Sequence, residues 1–363
     1  MPELVQIQRS AGSILIIQLG DIGDVVLSIP AFRTVRENFP KAKVTVAVRA
    51  KAHELITQIP WVDGGIAVNE DRRSPLGELR HQWEFFSLVR RHRFDLAFDL
   101  RTGTRGAILA FLSGAKERVG FLDPDGPWRN RLFTHLYRLD YRLPQHVSAY
   151  YSSLLRAHGL TVSEAAPEMR VPPEMRQRAA KILEAEGVPA ELPVIAIQPF
   201  SLWRYKEWDI DKLVLLAKRI LANCRASIAI TGSPDERSRA EDIVGRFGPD
   251  TPHVYNLAGK TSLGELSALI SACRLFIGLD SAGVHIAAAV GTPTVTIFGP
   301  SAPASWAPTG ESHAFVQKDL PCVPCRQKGC DGSGISRCLE ELEVDEVWTT
   351  VRTQLSRLGL ETE

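Results

Sequence analysis

The chain lacks the features that would place it in a membrane or outside the cell. In its 363 residues no segment reaches the ~18 uninterrupted apolar residues of a membrane span. The first residues, MPELVQIQRSAG, contain no basic region followed by an apolar core, so no secretory signal is predicted. Charge is nearly balanced, with a formal net charge of +1, which argues against bulk nucleic-acid binding. We therefore expect a cytoplasmic enzyme.

The sequence predicts an α/β protein with two domains. The chain is longer than the ~150 residues of a typical domain, and its 44% hydrophobic and 23% charged residues are ordinary for a globular protein. Short apolar runs alternate with amphipathic helices, which indicates parallel, doubly wound sheets. The predicted parts are an N-terminal domain at 1–165, a proline-rich linker at 166–192, a C-terminal domain at 193–343 and a helix at 344–363 that packs back toward the N-terminal domain.

The stretch from Leu275 to Gly299, LFIGLDSAGVHIAAAVGTPTVTIFG, has the pattern of one strand–helix–strand unit. Its first apolar run is followed at once by Asp280 and Ser281, which favour the helix N-cap position. Such a turn lies at the carboxyl edge of a strand, where open α/β sheets bind ligands, and the helix N-terminus favours a phosphate. His285 stands one turn later and can reach the same place. A capped core helix with a surface histidine is the alternative explanation.

A second turn of this kind lies near the N-terminus. The apolar run Ile14–Leu19 predicts a strand that leads into the turn Gly20–Asp24. The glycines permit a tight turn, but the pattern G-x-x-G-D is not the G-x-G-x-x-G of dinucleotide sites. Pro30 falls in the early part of the following helix and is expected to distort it.

Four of the six cysteines cluster near the C-terminus, whereas the other two are predicted core thiols. Cys322, Cys325, Cys330 and Cys338 form the pattern C-x2-C-x4-C-x7-C. Structural thiols are the first interpretation of this spacing, a tetrahedral zinc site is the second, and an iron–sulfur site is the third. A cytoplasmic location argues against disulfides.

Several segments of the chain resemble one enzyme family. ILIIQLGDIGDVVLSIPAFRTVRENFP resembles the N-terminal signature of glycosyltransferase family 9, the ADP-heptose:lipopolysaccharide heptosyltransferases, and GLDSAGVHIAAAVGTPTVTIFGP resembles its donor-binding signature. The motif KEW, from Lys206 to Trp208, lies between them where the family has K-x-W, and DLRTGTRGAILAFLSGAKERVGF resembles its acceptor region. The matches fall in order over nearly the whole chain. They imply the family's GT-B fold, with two Rossmann-like doubly wound domains facing a central cleft.

The resemblance implies an inverting transfer of heptose from ADP-heptose to a lipopolysaccharide inner-core acceptor, with no required metal or cofactor. Asp24 matches the catalytic aspartate, the general base that takes the proton of the acceptor hydroxyl. Lys206 matches the lysine on the donor diphosphate, where its charge offsets that of the departing ADP. The predicted donor-binding residues are Ser201, Lys206, Asp235, Glu236, Asp280, Ser281, Ala282 and His285.

Acceptors of this family are phosphorylated, lipid-linked sugars, which implies work at the inner-membrane surface. This fits the segment from Arg72 to Arg142, which holds 14 Lys and Arg residues against 8 Asp and Glu, although a solvated face explains it too. Gln18 stands where many members carry Lys or Arg, so other cations are expected to contact the acceptor. The predicted acceptor-binding residues are Arg101, Arg105, Arg129 and Arg131.

Some roles and functions stay open at this level. One of Asp235 and Glu236 contacts the donor ribose, or caps a helix; Asp280 contacts either the following amides or donor hydroxyls. Two other enzyme functions suit the fold: a nucleotide-sugar 2-epimerase, or a family member with another nucleotide-sugar donor. A binding protein without catalysis is a further class, although Asp24, Lys206, Asp280 and His285 argue against it. ADP release with and without acceptor discriminates between these functions.

Overall fold

The computed structural model of the chain describes residues 7, 10–69, 86–139, 145–248 and 251–360. The chain divides into two compact units, Met1–Pro167 and Glu168–Glu363. Each unit contains one six-stranded sheet. The strands are β1 Ser13–Gln18, β2 Lys43–Arg49, β3 Gly64–Val68, β4 Leu96–Asp99, β5 Glu117–Phe121 and β6 His135–Tyr137 in the first unit, and β7 Val194–Gln198, β8 Ser227–Ile230, β9 Val254–Asn256, β10 Leu275–Leu279, β11 Thr294–Phe298 and β12 His313–Gln317 in the second.

Helices connect the strands in both units. The α-helices of the first unit are α1 Ile22–Leu27, α2 Ile29–Asn38, α3 Thr104–Leu112, α4 Pro127–Asn130 and α5 Val147–Ala157. Those of the second unit are α6 Pro173–Ala185, α7 Ile210–Asn223, α8 Arg237–Gly245, α9 Leu263–Ala272, α10 Ala282–Ala289, α11 Pro303–Trp306, α12 Arg337–Glu340 and α13 Val344–Arg357. Short 3₁₀ helices span Ala50–Gln58, Arg204–Lys206, Pro234–Glu236 and Cys330–Gly332.

Both sheets have the same strand order. The first runs β3-β2-β1-β4-β5-β6, and the second runs β12-β11-β10-β7-β8-β9. Numbered from β7 and read from its other edge, the second sheet has the order of the first. All neighbouring strands are parallel. This is the order of a doubly wound, Rossmann-like sheet, so the predicted fold class of the two units is confirmed. The order reverses between β1 and β4 in one unit and between β7 and β10 in the other, and ligands bind beside the carboxyl ends of strands at such reversals.

Apolar strands buried on both faces explain why each unit folds around its sheet. Strands β1 and β10 are largely apolar, and β11 combines two threonines with three apolar residues. Their residues from Ile14, Leu275 and Thr294 onwards are all buried. Each unit has its own apolar core, lined by residues of that unit alone. The expected distortion at Pro30 is a break between two helices, because α1 ends at Leu27 and α2 begins at Ile29 with Pro30 in its first turn.

The boundary between the units differs from the predicted linker at 166–192. From Glu168 onwards this segment belongs to the second unit. It does so because α6 packs against α9, the backbone N–H of Met169 donates to the carbonyl of Ala289, and Lys260 pairs with Glu186.

The C-terminal helix α13 has its apolar face in the core of the second unit. Val347, Val351 and Leu355 are buried there, and the helix packs against α7, β11 and β12. Its predicted packing toward the N-terminal domain stays a prediction. None of the helices in the described part of the chain is long and apolar enough to cross a membrane.

Candidate active site

The turn after β1 places Asp24 beside the point where the first sheet reverses. Asp24 is the third residue of α1, and its Oδ2 accepts a hydrogen bond of 2.9 Å from the backbone N–H of Asp21. A Cβ atom at Gly20 would overlap the side chains of Asp24 and Arg101, so the turn requires glycine at this position. The buried Gln18 supports the turn, because its Oε1 accepts from the backbone N–H of Gly20. Gln18 therefore has a structural role in the turn that carries Asp24.

Two further donors hold the carboxylate of Asp24. Arg101, which follows β4, donates from Nη1 to Oδ2 at 2.7 Å, and its side chain is 43% exposed. Tyr151 in α5 donates from Oη to Oδ1 at 2.7 Å and is 3% exposed. Burial, followed by the negative charge of Asp24, raises the pKa of Tyr151 well above its ordinary value. Burial lowers the pKa of Arg101, but the charge of Asp24 and the hydrogen bond to it raise that pKa overall.

Asp21, the other carboxylate of this turn, has different partners. It pairs with Arg49 at 3.1 Å and with Lys51 at 2.6 Å, and its side chain is half-exposed. Burial raises the pKa of Asp21, but the hydrogen bond from Lys51 and the charges of Lys51, Arg49 and Arg101 together lower it. The two carboxylates therefore differ in surroundings: Asp21 is an exposed ion-pair partner, whereas Asp24 is enclosed by donors.

The predicted acceptor residue Arg129 is buried instead of facing solvent. It is 1% exposed, and it pairs with the equally buried Asp99 at 3.4 Å. Its Nη1 donates to the carbonyl of Phe121 at 2.8 Å and its Nη2 to the carbonyl of Arg101 at 2.9 Å. Burial raises the pKa of Asp99 to about 7, although the charge of Arg129 opposes this. In this structure Arg129 supports the loop that carries Arg101, whereas Arg105 and Arg131 are exposed.

The second sheet carries a charge pair at its own reversal point. Lys206, after β7, donates from Nζ to Oδ2 of Asp280, after β10, at 2.5 Å. Asp280 is almost fully buried and Lys206 is mostly buried. The sequence left the partner of Asp280 open between amides and donor hydroxyls, and in this structure the partner is Lys206.

The N-terminus of α10 lies next to this pair. Ser281 is the N-cap, but its side chain makes no capping hydrogen bond, and its buried Oγ has no hydrogen-bond partner among the described residues. Ala282 is the first helical residue, and the amides of the first turn of a helix have no partner within the helix. A Cβ atom at Gly283 would overlap the side chain of Gln198, so this turn is closely packed against β7. His285 is buried one turn further along.

The remaining predicted donor residues follow β7 and β8. The Oγ of Ser201 accepts from the backbone N–H of Trp203 at 3.3 Å. Glu236 accepts from the backbone N–H of Ser233 at 2.7 Å in a capping box, so the capping alternative is the one observed for this residue. Asp235 is exposed. A ribose contact by either carboxylate stays a prediction.

The cysteine cluster forms no metal site in the described part of the chain. None of the six cysteines forms a disulfide bond, and no group of three or more His, Cys, Asp or Glu side chains among the described residues is placed to hold a metal ion. Burial, together with the nearby Cys325 and Cys330, raises the pKa of Cys338 to about 11. Cys338 is buried, whereas Cys322 is exposed, and both the structural and the zinc interpretation stay predictions.

Comparison with known proteins agrees with these features. The model of glycosyltransferase family 9 (heptosyltransferase) matches residues 82–335, which is more than half of the chain. The chain belongs to glycosyltransferase family 9. The predicted family and the predicted enzyme class, a glycosyltransferase, are thereby confirmed.

Two relatives of this glycosyltransferase are named lipopolysaccharide heptosyltransferases. It is 27% identical over 309 residues to lipopolysaccharide heptosyltransferase 3 of Escherichia coli, covering 84% of this chain and 89% of the relative. It is 25% identical over 357 residues to lipopolysaccharide heptosyltransferase 2 of Salmonella typhimurium, covering 96% and 99%.

Solved structures share the fold of the glycosyltransferase. A family 9 glycosyltransferase of Veillonella parvula has a TM-score of 0.82 at 20% identity, covering 97% of this chain and 99% of that one. The ADP-heptose lps heptosyltransferase II of Escherichia coli has a TM-score of 0.79 at 22% identity, covering 96% and 99%.

Reasoning from the sequence missed one residue that contacts the predicted base. Tyr151 lies 127 positions from Asp24 and outside each motif, so no local signal marks it. Glu207 was noted only as the middle of the K-x-W motif, but its carboxylate accepts from the backbone N–H of Ser201 at 3.2 Å and pairs with Arg239.

Proposed function

We propose that the protein transfers heptose from ADP-heptose to a lipopolysaccharide inner-core acceptor with inversion at the anomeric carbon. The names of its relatives, which are lipopolysaccharide heptosyltransferases, support this substrate class. One structural observation carries the proposal. Each sheet has a carboxylate–cation pair at its reversal point, Asp24 with Arg101 in one unit and Lys206 with Asp280 in the other. The proposed base and the proposed cation for the diphosphate thus each lie beside a reversal point, where sheets of this kind bind ligands.

The second unit supplies the groups for the donor. Lys206 and the amides of Ser281 and Ala282 are proposed to bind the diphosphate, because a cation and a helix N-terminus both favour phosphate. In this proposal the Oγ of Ser281, which has no hydrogen-bond partner in the described part of the chain, turns toward the donor. Ser201, His285 and one of Asp235 and Glu236 are proposed to complete the ADP contacts.

The first unit supplies the base and the acceptor contacts. In the proposed step, Asp24 takes the proton of an acceptor hydroxyl as that oxygen attacks the anomeric carbon. The bond from the anomeric carbon to ADP breaks, and ADP leaves with the electron pair. Lys206 and the helix N-terminus stabilise the charge that forms on ADP, so the proposed reaction requires no metal. Arg101, Arg105 and Arg131 are the proposed cations for the phosphorylated, lipid-linked acceptor at the inner-membrane surface.

ADP release and the mass of the sugar product test the proposal. With ADP-heptose, we expect ADP release only when the inner-core acceptor is present, and a product heavier by one heptose. Isomerised ADP-sugar without acceptor would instead indicate an epimerase, and transfer only from another nucleotide-sugar would correct the donor.

A matched pair of variants tests the role of Asp24. Asp24→Asn should lower turnover by ~10²–10⁴, the usual contribution of a general base, while ADP affinity stays near that of the wild type. Asp21→Asn is the control, because asparagine caps a helix about as well as aspartate. Near wild-type turnover of Asp24→Asn would remove Asp24 from the base role.

A further inference from the structure

The hydrogen bond between Tyr151 and Asp24 bears on which carboxylate oxygen of Asp24 can accept a proton. Each carboxylate oxygen accepts about two hydrogen bonds. The Oδ2 of Asp24 already accepts two, from Arg101 Nη1 at 2.7 Å and from the backbone N–H of Asp21 at 2.9 Å. Among the described residues, Oδ1 accepts one, from Tyr151 Oη at 2.7 Å. The lone pair that remains for an acceptor proton is therefore on Oδ1, next to the tyrosine.

We propose that Tyr151 is a positioning residue for the transfer, which holds Oδ1 of Asp24 so that its remaining lone pair faces the acceptor hydroxyl. The inference rests on the proposed role of Asp24 as the base. In the transfer the acceptor proton moves to Oδ1, the new bond forms between the acceptor oxygen and the anomeric carbon, and ADP leaves. Tyr151 keeps its own proton throughout and does not touch the reacting sugar.

The surroundings of Tyr151 suit a fixed donor. Its side chain is almost fully buried in α5, which packs against α2 in the same unit. The ring of Tyr150 meets its ring edge to face, with centroids 5.2 Å apart. The strongly raised pKa of Tyr151 keeps the phenol protonated, so it remains a donor at neutral pH.

The two side chains that donate to the carboxylate of Asp24, Tyr151 and Arg101, differ in exposure and charge. The side chain of Arg101 is 43% exposed and charged, so its other N–H groups can bind a phosphate of the acceptor while Nη1 stays on Oδ2 of Asp24. Tyr151 has no such freedom because its side chain is buried. Arg101 thus contacts both the carboxylate and the proposed acceptor, whereas Tyr151 holds the carboxylate from a buried position. A neutral donor also leaves the negative charge of the base intact, which a permanent ion pair would partly offset.

The test replaces only the hydroxyl. Tyr151→Phe keeps the buried ring, and we expect kcat to fall by about 10- to 100-fold, the scale of a small misplacement of a reacting group. The KM for ADP-heptose, the Kd for ADP and the midpoint of thermal unfolding should stay close to those of the wild type. Tyr150→Phe is the matched control, since it removes a hydroxyl from the neighbouring ring that does not contact Asp24, and its kcat should be near that of the wild type.

A double variant separates positioning from a general structural effect. In the Asp24→Asn background, Tyr151→Phe should cause almost no further loss, because two residues that act as a unit have non-additive effects. An equal loss in both backgrounds, a wild-type kcat for Tyr151→Phe, or a parallel loss of ADP binding would overturn the inference. Failure of the proposed base is distinguishable, because Asp24→Asn alone would then remain active.

Discussion

At the scale of single residues, the charge pair at the second reversal point gives Lys206 two tasks. It neutralises Asp280 in this structure, and it is the proposed cation for the donor diphosphate. The pair is enclosed, so each charge would be costly to leave alone. A phosphate that binds here has to share or replace the contact between Lys206 and Asp280, and donor affinity should depend on the shape of the cation as well as on its charge.

We expect Lys206→Ala to raise the KM for ADP-heptose by about 10- to 100-fold, the value of a hydrogen bond to a charged group, and to lower kcat. Lys206→Arg should recover part of this loss, because it keeps the charge but not the compact head group. Lys218→Ala, which removes an exposed lysine of α7, is the control. Activity of the wild type should persist in EDTA; full loss in EDTA that Mg²⁺ or Mn²⁺ restores would contradict the metal-free reaction.

Arg129 shows how a residue that resembles an acceptor contact can serve the fold. It donates to the carbonyls of Phe121, Arg101 and Gly103 and pairs with Asp99, and its guanidinium lies 4.8 Å from the ring centroid of Phe133. Arg129→Met should therefore lower the free energy of unfolding by about 3 kcal/mol or more, measured by urea denaturation. Arg131→Met, at an exposed neighbour, should change it little. An Arg129→Met protein of wild-type stability with a raised acceptor KM would restore the acceptor role.

At the scale of elements, helix α3 exposes large apolar side chains to solvent. Ile108 and Phe111 are 37% and 49% exposed, and the helix contains no acidic residue. Trp128 of the adjacent α4 is 52% exposed, and the guanidinium of Arg118 lies 5.6 Å from the ring centroid of Phe111. Exposed aromatic and aliphatic side chains among arginines suit the surface of an anionic membrane, which the proposed lipid-linked acceptor requires.

The double variant Phe111→Ser, Trp128→Ser should reduce co-sedimentation with vesicles that contain anionic phospholipid. Burial of two large apolar side chains at the interface is lost, so we expect at least about a tenfold weaker partition. Leu215→Ser, at a leucine of α7 that is 57% exposed, is the control. If wild type and the double variant sediment equally with anionic vesicles, this side of α3 is not the membrane contact.

At the scale of the whole molecule, the proposed tasks divide between the units. All proposed donor residues lie in Glu168–Glu363, a unit with its own sheet and its own apolar core. The proposed base and acceptor residues lie in the other unit. Donor binding and transfer should therefore be separable.

We expect a fragment of residues 168–363 to bind ADP with an affinity within about tenfold of the full chain and to transfer no sugar. Isothermal titration calorimetry with ADP measures the affinity, and circular dichroism establishes that the fragment is folded. The same fragment with Lys206→Ala is the control for specific binding. A folded fragment without measurable ADP affinity would contradict the division of tasks.

The sequence by itself determined the inner strands and the two turns that carry Asp24 and Asp280. The strands predicted at Ile14–Leu19 and in the unit Leu275–Gly299 are β1, β10 and β11, which are inner strands of the two sheets, whereas β3, β6, β9 and β12 are the four edges. Inner strands are covered on both faces and form continuous apolar runs, while an edge strand has a mixed pattern. Caps and tight turns depend on neighbouring residues, so they too are visible in the sequence.

Only the tertiary structure decided which distant groups meet. Arg101 reaches Asp24 because β4 lies beside β1, and Lys206 reaches Asp280 because β10 lies beside β7. The order of parallel strands is set by crossovers and core packing, which leave no local pattern. The same applies to Tyr151, which packing brings to Asp24 across 127 positions, and to Arg129, whose burial no property of an isolated arginine foretells.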